Sequence, residues 1–502
     1  MNKFTRIFLL AVFSAVLVMG YSSCGFASMN RDSAASSPGG GYPGAPPFYP
    51  SPEGYPDNTD EFDEITEQDF VSAEEKPESY FSLGINTASY AVIRRSINSG
   101  AKIYKDQVLI EEMLNYFAFD YPVPDSGEVL SLSGSITPCP WNENAHLLSI
   151  GIKTEEIEMG DIDNNLVFLI DVSGSMDGND RLGLVQEAFK LLADQLNQND
   201  RVSIVTYAEN IRVMLDGAMG YEKSRIRGVI EDLSAEGSTA GAKGIQKAYE
   251  IAAKYFKQGG NNRVILATDG DFNVGISSQS ELENFISQKR ATGIFLTVLG
   301  VGMGNQKNNR METLANCGNG NFAYLDSINE ARKVLVEEAG GTLKTVAKDA
   351  KAMVSFNPDY VDRYRQLGYE NRQLTSQDWK NEDTDAGELG AGRCISAVYE
   401  VILKEGAAAA EPFITAAVRF KVPETEESRE ISAEIATVSA APSDDVLFIS
   451  AVVESALLMR DSPHKASANI DSVIARLESL DLANDEYKAA FLALMKKFKT
   501  QI

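Results

Sequence analysis

The sequence predicts an α/β fold for the middle of the chain, with a doubly wound and mainly parallel sheet. We expect this domain to be inserted between β-rich segments and followed by a helical region. Between residues 161 and 341, short apolar runs alternate with stretches whose apolar residues have helical spacing. This alternation is typical of parallel sheets whose strands are joined by helices. The first run, Leu166–Ile170, is apolar throughout, which is typical of a strand buried on both faces.

The first predicted strand of this domain ends in a cluster of oxygen-bearing side chains. Asp171, Ser173 and Ser175 stand at alternate positions, and Gly174 permits the tight turn that brings them together. Ligands bind at the carboxyl ends of strands in open α/β sheets. Oxygen donors without nitrogen or sulfur favour a hard cation, so we expect Mg²⁺, with Mn²⁺ or Ca²⁺ as alternatives.

Two further polar residues complete a recognisable pattern downstream. Thr239 precedes a predicted helix, and Asp269 follows a short apolar strand. The order of Asp-x-Ser-x-Ser, then Thr, then Asp resembles the von Willebrand factor type A domain and its metal-ion-dependent adhesion site. The resemblance implies a metal site made of Asp171, Ser173, Ser175, Thr239 and Asp269. It implies that the two serines coordinate the ion directly, the threonine directly or through water, and the aspartates mainly through water.

The remaining elements of the central domain, residues 161–341, follow from the same periodicities. Strands are predicted at 166–171, 202–207, 264–269, 294–300 and 322–325. Helices are predicted at 182–196, 242–256, 279–289 and 328–339.

The segments on either side of the central domain carry strand signals of their own. Residues 80–160 predict an α+β module, with helices at 87–97 and 108–117 and strands at 128–136 and 146–153. Residues 342–440 are β-rich, with strands at 352–357, 395–403 and 413–422, whereas residues 441–502 are helical. We hypothesise that 342–440 pairs with 128–153 in one β-sandwich; two separate small sheets are the alternative.

Several motifs resemble the YfbK-like group of bacterial von Willebrand type A proteins, and they span residues 80–422. They are Asn86-Thr87-Ala88-Ser89-Tyr90 with Arg94-Arg95, Glu111–Phe117, Tyr121-Pro122, Gly318–Asp326, Tyr364–Arg372 and Asp385–Gly392. The group usually carries Asp where this chain has Asn86. Without the resemblance, the last two stretches are polar connections between strands and imply no chemistry.

The N-terminus predicts export. Lys3 and Arg6 precede an apolar segment that is short for a membrane span, so residues 1–23 are interpreted as a signal peptide. Ser22-Ser23-Cys24 resembles the lipobox of bacterial lipoproteins, which implies a lipid anchor on Cys24 and a place in the bacterial envelope. Tyr21 stands where that pattern prefers Leu, so ordinary cleavage nearby is the alternative. Residues 24–79, rich in Ser, Gly, Pro and acids, predict a disordered tether.

Composition limits the partners. The 502 residues carry a formal net charge of −26, which argues against nucleic acid as a partner. We expect membrane contact through the lipid anchor only.

Besides Cys24, the cysteines are Cys139, Cys317 and Cys394, and no C-x-x-C pair occurs. These three cysteines are compatible either with one internal disulfide or with three buried thiols.

The expected function is metal-dependent protein binding of the adhesion type. The resemblance implies that a partner protein supplies an Asp or Glu side chain to the bound cation. A structural scaffold stabilised by its metal is one alternative, and a metal-assisted hydrolase is another. Enzymatic motifs such as H-E-x-x-H and the phosphate-binding G-x-x-x-x-G-K-[ST] are absent from the sequence, so we do not expect an enzyme. The partner's identity and the oligomeric state stay open.

The lipid anchor gives the first testable prediction. Cys24→Ser removes the thiol that would be acylated, so the variant should move from the membrane fraction to the soluble fraction on cell fractionation. Cys317→Ser serves as the control and should leave the distribution unchanged. Retention of the Cys24→Ser variant in the membrane fraction would rule out the anchor.

Overall fold

A computed structural model describes residues 62–157, 163–237, 241–270, 279–302, 308–339, 341, 344–405, 412–423 and 425–502. The predicted signal peptide, Cys24 and most of the predicted tether lie outside these residues, and so does Thr239.

The secondary structure of the described residues alternates strands and helices along the chain. The strands are β1 (Val71–Ser72), β2 (Glu78–Ser82), β3 (Leu130–Pro138), β4 (His146–Thr154), β5 (Asn164–Asp171), β6 (Arg201–Tyr207), β7 (Ile211–Met219), β8 (Asn261–Thr268), β9 (Phe295–Gly300), β10 (Phe322–Tyr324), β11 (Thr345–Phe356), β12 (Val361–Leu367), β13 (Gly387–Gly390), β14 (Cys394–Leu403), β15 (Ile414–Val422) and β16 (Glu427–Ile435). The helices are α1 (Ala88–Ser99), α2 (Ile110–Asn115), α3 (Leu182–Gln195), α4 (Lys223–Glu231), α5 (Gly241–Lys254), α6 (Gln279–Arg290), α7 (Asn308–Cys317), α8 (Ile328–Arg332), α9 (Ser376–Lys380), α10 (Asp444–Met459), α11 (Ile470–Glu478) and α12 (Glu486–Lys499).

The central domain is built on a six-stranded sheet in the order β10-β9-β8-β5-β6-β7. All neighbouring strands are parallel except β7, which runs antiparallel to β6 at the edge. One face of the sheet packs against α3, α4 and α8, and the other against α5, α6 and α7. The predicted doubly wound, mainly parallel α/β fold is therefore confirmed. Every residue of β5 is buried because β5 has paired strands on both sides and helices on both faces.

The strands of the two flanks pair directly with each other. One sheet has the order β1-β12-β14-β4-β3, so β4, which precedes the central domain, pairs antiparallel with β14, which follows it. A second sheet, β13-β11-β15-β16 with β2 against β11, packs its apolar residues onto the first. The chain leaves and re-enters this sandwich at one turn, since Gly392 N–H donates to Glu155 O at 2.7 Å and Ala391 N–H to Lys344 O at 3.0 Å.

The C-terminal helices cover the outer face of the first sheet together with α1 and α2. Their starts are fixed by side-chain caps: Ser443, Asn469 and Asp485 each accept a hydrogen bond from a backbone N–H three residues later. Helix α1 belongs to two cores at once. Ile93 packs into the helical cluster, whereas Val92 packs against the central sheet, so α1 joins the two halves of the fold.

A buried polar network crosses the first sheet of the sandwich. The Glu400 carboxylate accepts hydrogen bonds from Arg365 Nε and from Trp141 Nε1, both at 2.8 Å. All three residues are at most 1% exposed. Because Trp141 precedes the inserted domain and Glu400 follows it, the network ties the two flanks together.

The predicted C-terminal boundary of the tether, residue 79, is wrong, because residues before it belong to the folded body. Within it, β1 pairs with β12 and β2 with β11, while Ile65 and Ala73 are buried. The sequence did not predict these strands, because the stretch is acidic and polar. Both strands form by pairing with β12 and β11, which come from the other end of the chain.

Other elements were not predicted from the sequence. Strands β12 and β13 occupy stretches interpreted as polar connections, and β7, β16, α4 and α7 were missed. The polar side chains Arg365 and Gln366 of β12 are almost fully buried, which an apolar pattern cannot indicate. The predicted helix at 328–339 changes after α8 into a wider π turn at Lys333–Glu337.

Two further findings concern the chemistry of the chain. Among the helices of the described residues, none has the length and apolar character needed to cross a membrane. Cys139, Cys317 and Cys394 are free thiols, and the first and last of them are buried.

The network between the flanks predicts a large loss of stability on neutralisation. Glu400→Gln removes the charge that pairs with Arg365, so the free energy of unfolding should fall by about 3–5 kcal/mol. Thermal unfolding followed by circular dichroism measures the change. Glu434→Gln, on the exposed edge strand β16, is the control and should stay within about 0.5 kcal/mol. A loss for Glu400→Gln no larger than the control would contradict the argument.

Candidate metal centre

The predicted site begins with a carboxylate buried at the end of the central strand. Asp171 is the last residue of β5 and is 0% exposed. Ser173 N–H donates to its Oδ1 at 2.9 Å, and the Thr268 hydroxyl, at the end of the neighbouring strand β8, donates to its Oδ2 at 3.3 Å. These bonds fix the orientation of the carboxylate.

The two serines of the motif follow in a short 3₁₀ turn, Gly174–Met176, and their hydroxyls lie together. Ser173 Oγ and Ser175 Oγ are 3.0 Å apart. Ser173 is buried, whereas Ser175 is exposed, so the donors run from the interior toward solvent. Adjacent oxygens of an octahedral shell with bonds of about 2.1 Å lie about 3.0 Å from each other. This spacing is an ordinary hydrogen-bond distance between the two hydroxyls, and it also fits two neighbouring ligands of a small divalent cation.

Backbone hydrogen bonds attach the serine turn to the loop that leads to Thr239. Gly174 N–H donates to Gly237 O at 2.9 Å, and Glu236 N–H donates to Val172 O at 2.7 Å. Gly237 has a left-handed φ of +78°, which glycine adopts without strain. The described part of the loop thus lies against the turn, two residues before Thr239, which is outside the described residues.

The second predicted aspartate lies on the adjacent strand end. Asp269 is 4% exposed and directly follows β8, which pairs in parallel with β5. Burial raises the pKa of Asp171 to about 6, hydrogen bonds from Ser173 oppose this shift, and the charge of Asp269 adds to it. A positive charge beside both carboxylates would lower that pKa. The structure therefore brings four of the five predicted ligands to one edge of the sheet.

Residues that the sequence analysis did not assign support this site. Tyr207, the last residue of β6, is fully buried, and burial followed by the charge of Asp171 raises its pKa well above the ordinary value. Thr268 accepts a hydrogen bond from Gly270 N–H at 3.3 Å in addition to holding Asp171. Tyr207 and Thr268 each end a strand that pairs directly with β5, and that shared position is the signal that could have found them.

A small groove lies beside the serine turn, with a volume of about 90 Å³. It is lined by Val172, Thr206, Ala208, Glu209, Asn210, Arg212, Glu236 and Gly237. Arg212 and Glu236 form an ion pair at 2.8 Å, and both side chains are more than half exposed. Glu209 lies against Gly237, because an added Cβ there would be 3.3 Å from the Glu209 Cβ.

The sheet order and the site at the carboxyl end of its central strand define a von Willebrand factor type A domain. The family described as von Willebrand factor type A domain matches residues 165–337. A family described as von Willebrand factor matches residues 56–149, and one described as Uncharacterized protein YfbK, C-terminal, matches 341–412 and 404–501.

Similar proteins extend the match to most of the chain. Uncharacterized protein YfbK of Escherichia coli (strain K12) is 38% identical over 419 residues, which cover 78% of this chain and 72% of that protein. The chain therefore belongs to the YfbK family, as its motifs predicted. Inter-alpha-trypsin inhibitor heavy chain H2 of Mus musculus is 30% identical over 149 residues, covering 28% of this chain and 16% of that protein.

Solved structures are also similar. A von Willebrand factor type A protein from Catenulispora acidiphila has a TM-score of 0.41 at 17% identity, and the match covers 76% of this chain and 91% of that one.

The hydrogen bond from Thr268 to the Asp171 carboxylate predicts that the Thr268 hydroxyl contributes to stability. Thr268→Val keeps the shape but removes the hydroxyl shared by Asp171 and Gly270, so the free energy of unfolding without added metal should fall by about 1–3 kcal/mol. Thr437→Val, at an exposed threonine two residues after β16, is the matched control and should be nearly neutral. Equal unfolding transitions for both variants in urea would show that the Thr268 hydroxyl contributes no stability.

Proposed function

We propose that this chain is a metal-dependent protein-binding module of the adhesion type, tethered to the bacterial envelope. In this proposal Asp171, Ser173, Ser175, Thr239 and Asp269 hold one divalent cation, Mg²⁺ or alternatively Mn²⁺ or Ca²⁺. The observation that carries it is the pair of serine hydroxyls, 3.0 Å apart and directed from a buried carboxylate toward solvent. The proposed activity is binding and not catalysis.

The chemistry of the donors explains why a partner would be needed. The two serine hydroxyls are neutral, so they leave most of a divalent cation's charge uncompensated at the surface. The bound cation supplies a directional, charge-assisted attachment point for one carboxylate oxygen of an outside Asp or Glu. Ser175 lies at the exposed end of the donor set, and partner binding and cation binding strengthen each other by linkage.

The surroundings of the serine turn favour a particular kind of partner. Glu209 and Glu236 flank the neighbouring groove, and Arg212 is already paired with Glu236. An acidic segment would meet repulsion here except at the cation itself. We therefore infer that the partner's carboxylate is accompanied by Lys or Arg, which the groove would accept.

The tether belongs to the same proposal. Residues 1–61 lie outside the described residues, so the lipid anchor on Cys24 rests on the sequence. A lipidated N-terminus followed by a Ser-, Gly- and Pro-rich segment would carry the folded body at a distance from the membrane.

A double substitution tests the proposed site. Ser173→Ala with Asp269→Ala removes one direct ligand and one supporting carboxylate, so Mn²⁺ binding measured by calorimetry should fall by at least about tenfold. Binding of a synthetic peptide with one aspartate between lysines should be lost as well, as it should be for the native chain in chelator. A peptide with asparagine in place of aspartate gives the background.

Ser224→Ala with Asp232→Ala is the matched control, because these two residues are exposed on and after α4. It should bind Mn²⁺ and peptide like the native chain. A fall in melting temperature with peptide binding intact would instead favour a scaffold that uses its metal for stability alone.

A further inference from the structure

The flanking helix α1 contacts a backbone carbonyl of the central domain. This carbonyl belongs to Gly302 and lies near the strand ends that carry Asp171 and Asp269. Arg95 Nη1 donates to Gly302 O at 2.8 Å, and the Tyr324 hydroxyl donates to the same oxygen at 2.7 Å. The Arg95 guanidinium also lies 4.7 Å from the centre of the Tyr324 ring, a cation–π contact. Gly302 follows β9 at the sheet edge that carries Asp171 and Asp269.

Helix α1 is anchored firmly enough to fix this contact. The neighbouring Arg94 pairs with Glu330 at 2.7 Å and also with Asp326, both at the start of the last helix of the central domain. Burial alone would lower the pKa of Arg94, but the two carboxylates outweigh it and raise the pKa above its usual value. Arg94 therefore stays charged, and α1 is held against the central domain.

The other side of Gly302 contacts the arginine that holds the serine turn. A Cβ added at Gly302 would lie 2.7 Å from Arg181 Nε, so the arginine packs directly on the glycine, whose φ is +77°. Arg181 Nη1 then donates to Ser175 O at 2.6 Å. A continuous set of contacts thus runs from Arg95 through Gly302 and Arg181 to a predicted metal ligand.

We propose that Arg181 and Arg95 are positioning residues of the metal site, Arg181 directly and Arg95 through Gly302. This inference rests on the proposed function and deepens it, because it makes the flanking module part of the site. Ser175 is the exposed ligand on a three-residue turn, so its geometry depends on the hydrogen bond to its carbonyl. Residues that orient ligands in this way commonly change metal affinity by about 10–100-fold.

The consequence is a coupling between α1 and the face that would receive the partner. If Arg95 stabilises the ligand geometry, cation binding must stabilise the contact of Arg95 with Gly302 by the same free energy. The C-terminal helices also pack on α1, through residues such as Phe491 against Tyr90. Cation binding would therefore also favour the packing of α1 against the central domain.

A double-mutant cycle in the full chain tests this coupling. Free Mn²⁺, followed by electron paramagnetic resonance, gives the Mn²⁺ affinity of the native chain, Arg181→Ala, Arg95→Ala and the double variant. We expect a loss of about tenfold for Arg181→Ala and a smaller loss for Arg95→Ala. The double variant should lose no more than Arg181→Ala alone, because both arginines act through one set of contacts. Arg95→Lys, which keeps a charged donor, should recover part of the affinity.

Arg227→Ala is the matched control, since this exposed arginine of α4 pairs with Asp194. It should leave Mn²⁺ affinity unchanged. A lower melting temperature for Arg95→Ala with native Mn²⁺ affinity, or additive losses in the double variant, would overturn the positioning role while leaving the proposed function intact. Absence of Mn²⁺ binding by the native chain would overturn the proposed function together with this inference.

Discussion

The burial of one carboxylate, Asp171, constrains the whole site. It ends a strand with neighbours on both sides, and its two oxygens are held by a backbone N–H and by the Thr268 hydroxyl. Since a buried charge needs compensation, this carboxylate favours a cation beside it. Ser173 is buried near Asp171 and Ser175 is exposed, so in the proposed function the same turn would supply the inner and the outer side of the metal site. In the proposed function, the groove beside the turn would select the charge of the partner.

The insertion of the central domain into a β-sandwich has a physical consequence for that site. The chain leaves and re-enters the sandwich at the turn of Ala391 and Gly392, so the central domain is joined by two connections at one point. Two short connections alone would leave its orientation free. Helix α1 removes this freedom, because it contributes Val92 to the central core and Ile93 to the helical core. Two arginines of α1 extend the attachment. Arg94 pairs with Glu330 in the last helix of the central domain, and Arg95 donates a hydrogen bond to Gly302 O.

Apolar periodicity predicted the central sheet and most helices, because residues such as Leu166–Ile170 face the core in their own element. Apolar periodicity could not predict β12, because this strand buries the charged residue Arg365. The charge of Arg365 is compensated by an ion pair with Glu400 on the neighbouring strand β14. The same limit applies at the site. Asp171, Ser173 and Ser175 are near in sequence and carry a pattern, whereas Tyr207 and Thr268 approach them only after the sheet has formed.

The sequence by itself determined the α/β class, the membership in the YfbK family and the candidate ligands, because local periodicity and short motifs record these features directly. Tertiary structure alone decided that strands from both ends of the chain share one sandwich, and that β1 and β2 belong to it. It also decided that Arg95 of the flanking helix α1 contacts Gly302, which follows β9 of the central sheet. Such facts depend on hydrogen bonds and ion pairs between distant segments, for which a linear pattern has no signal.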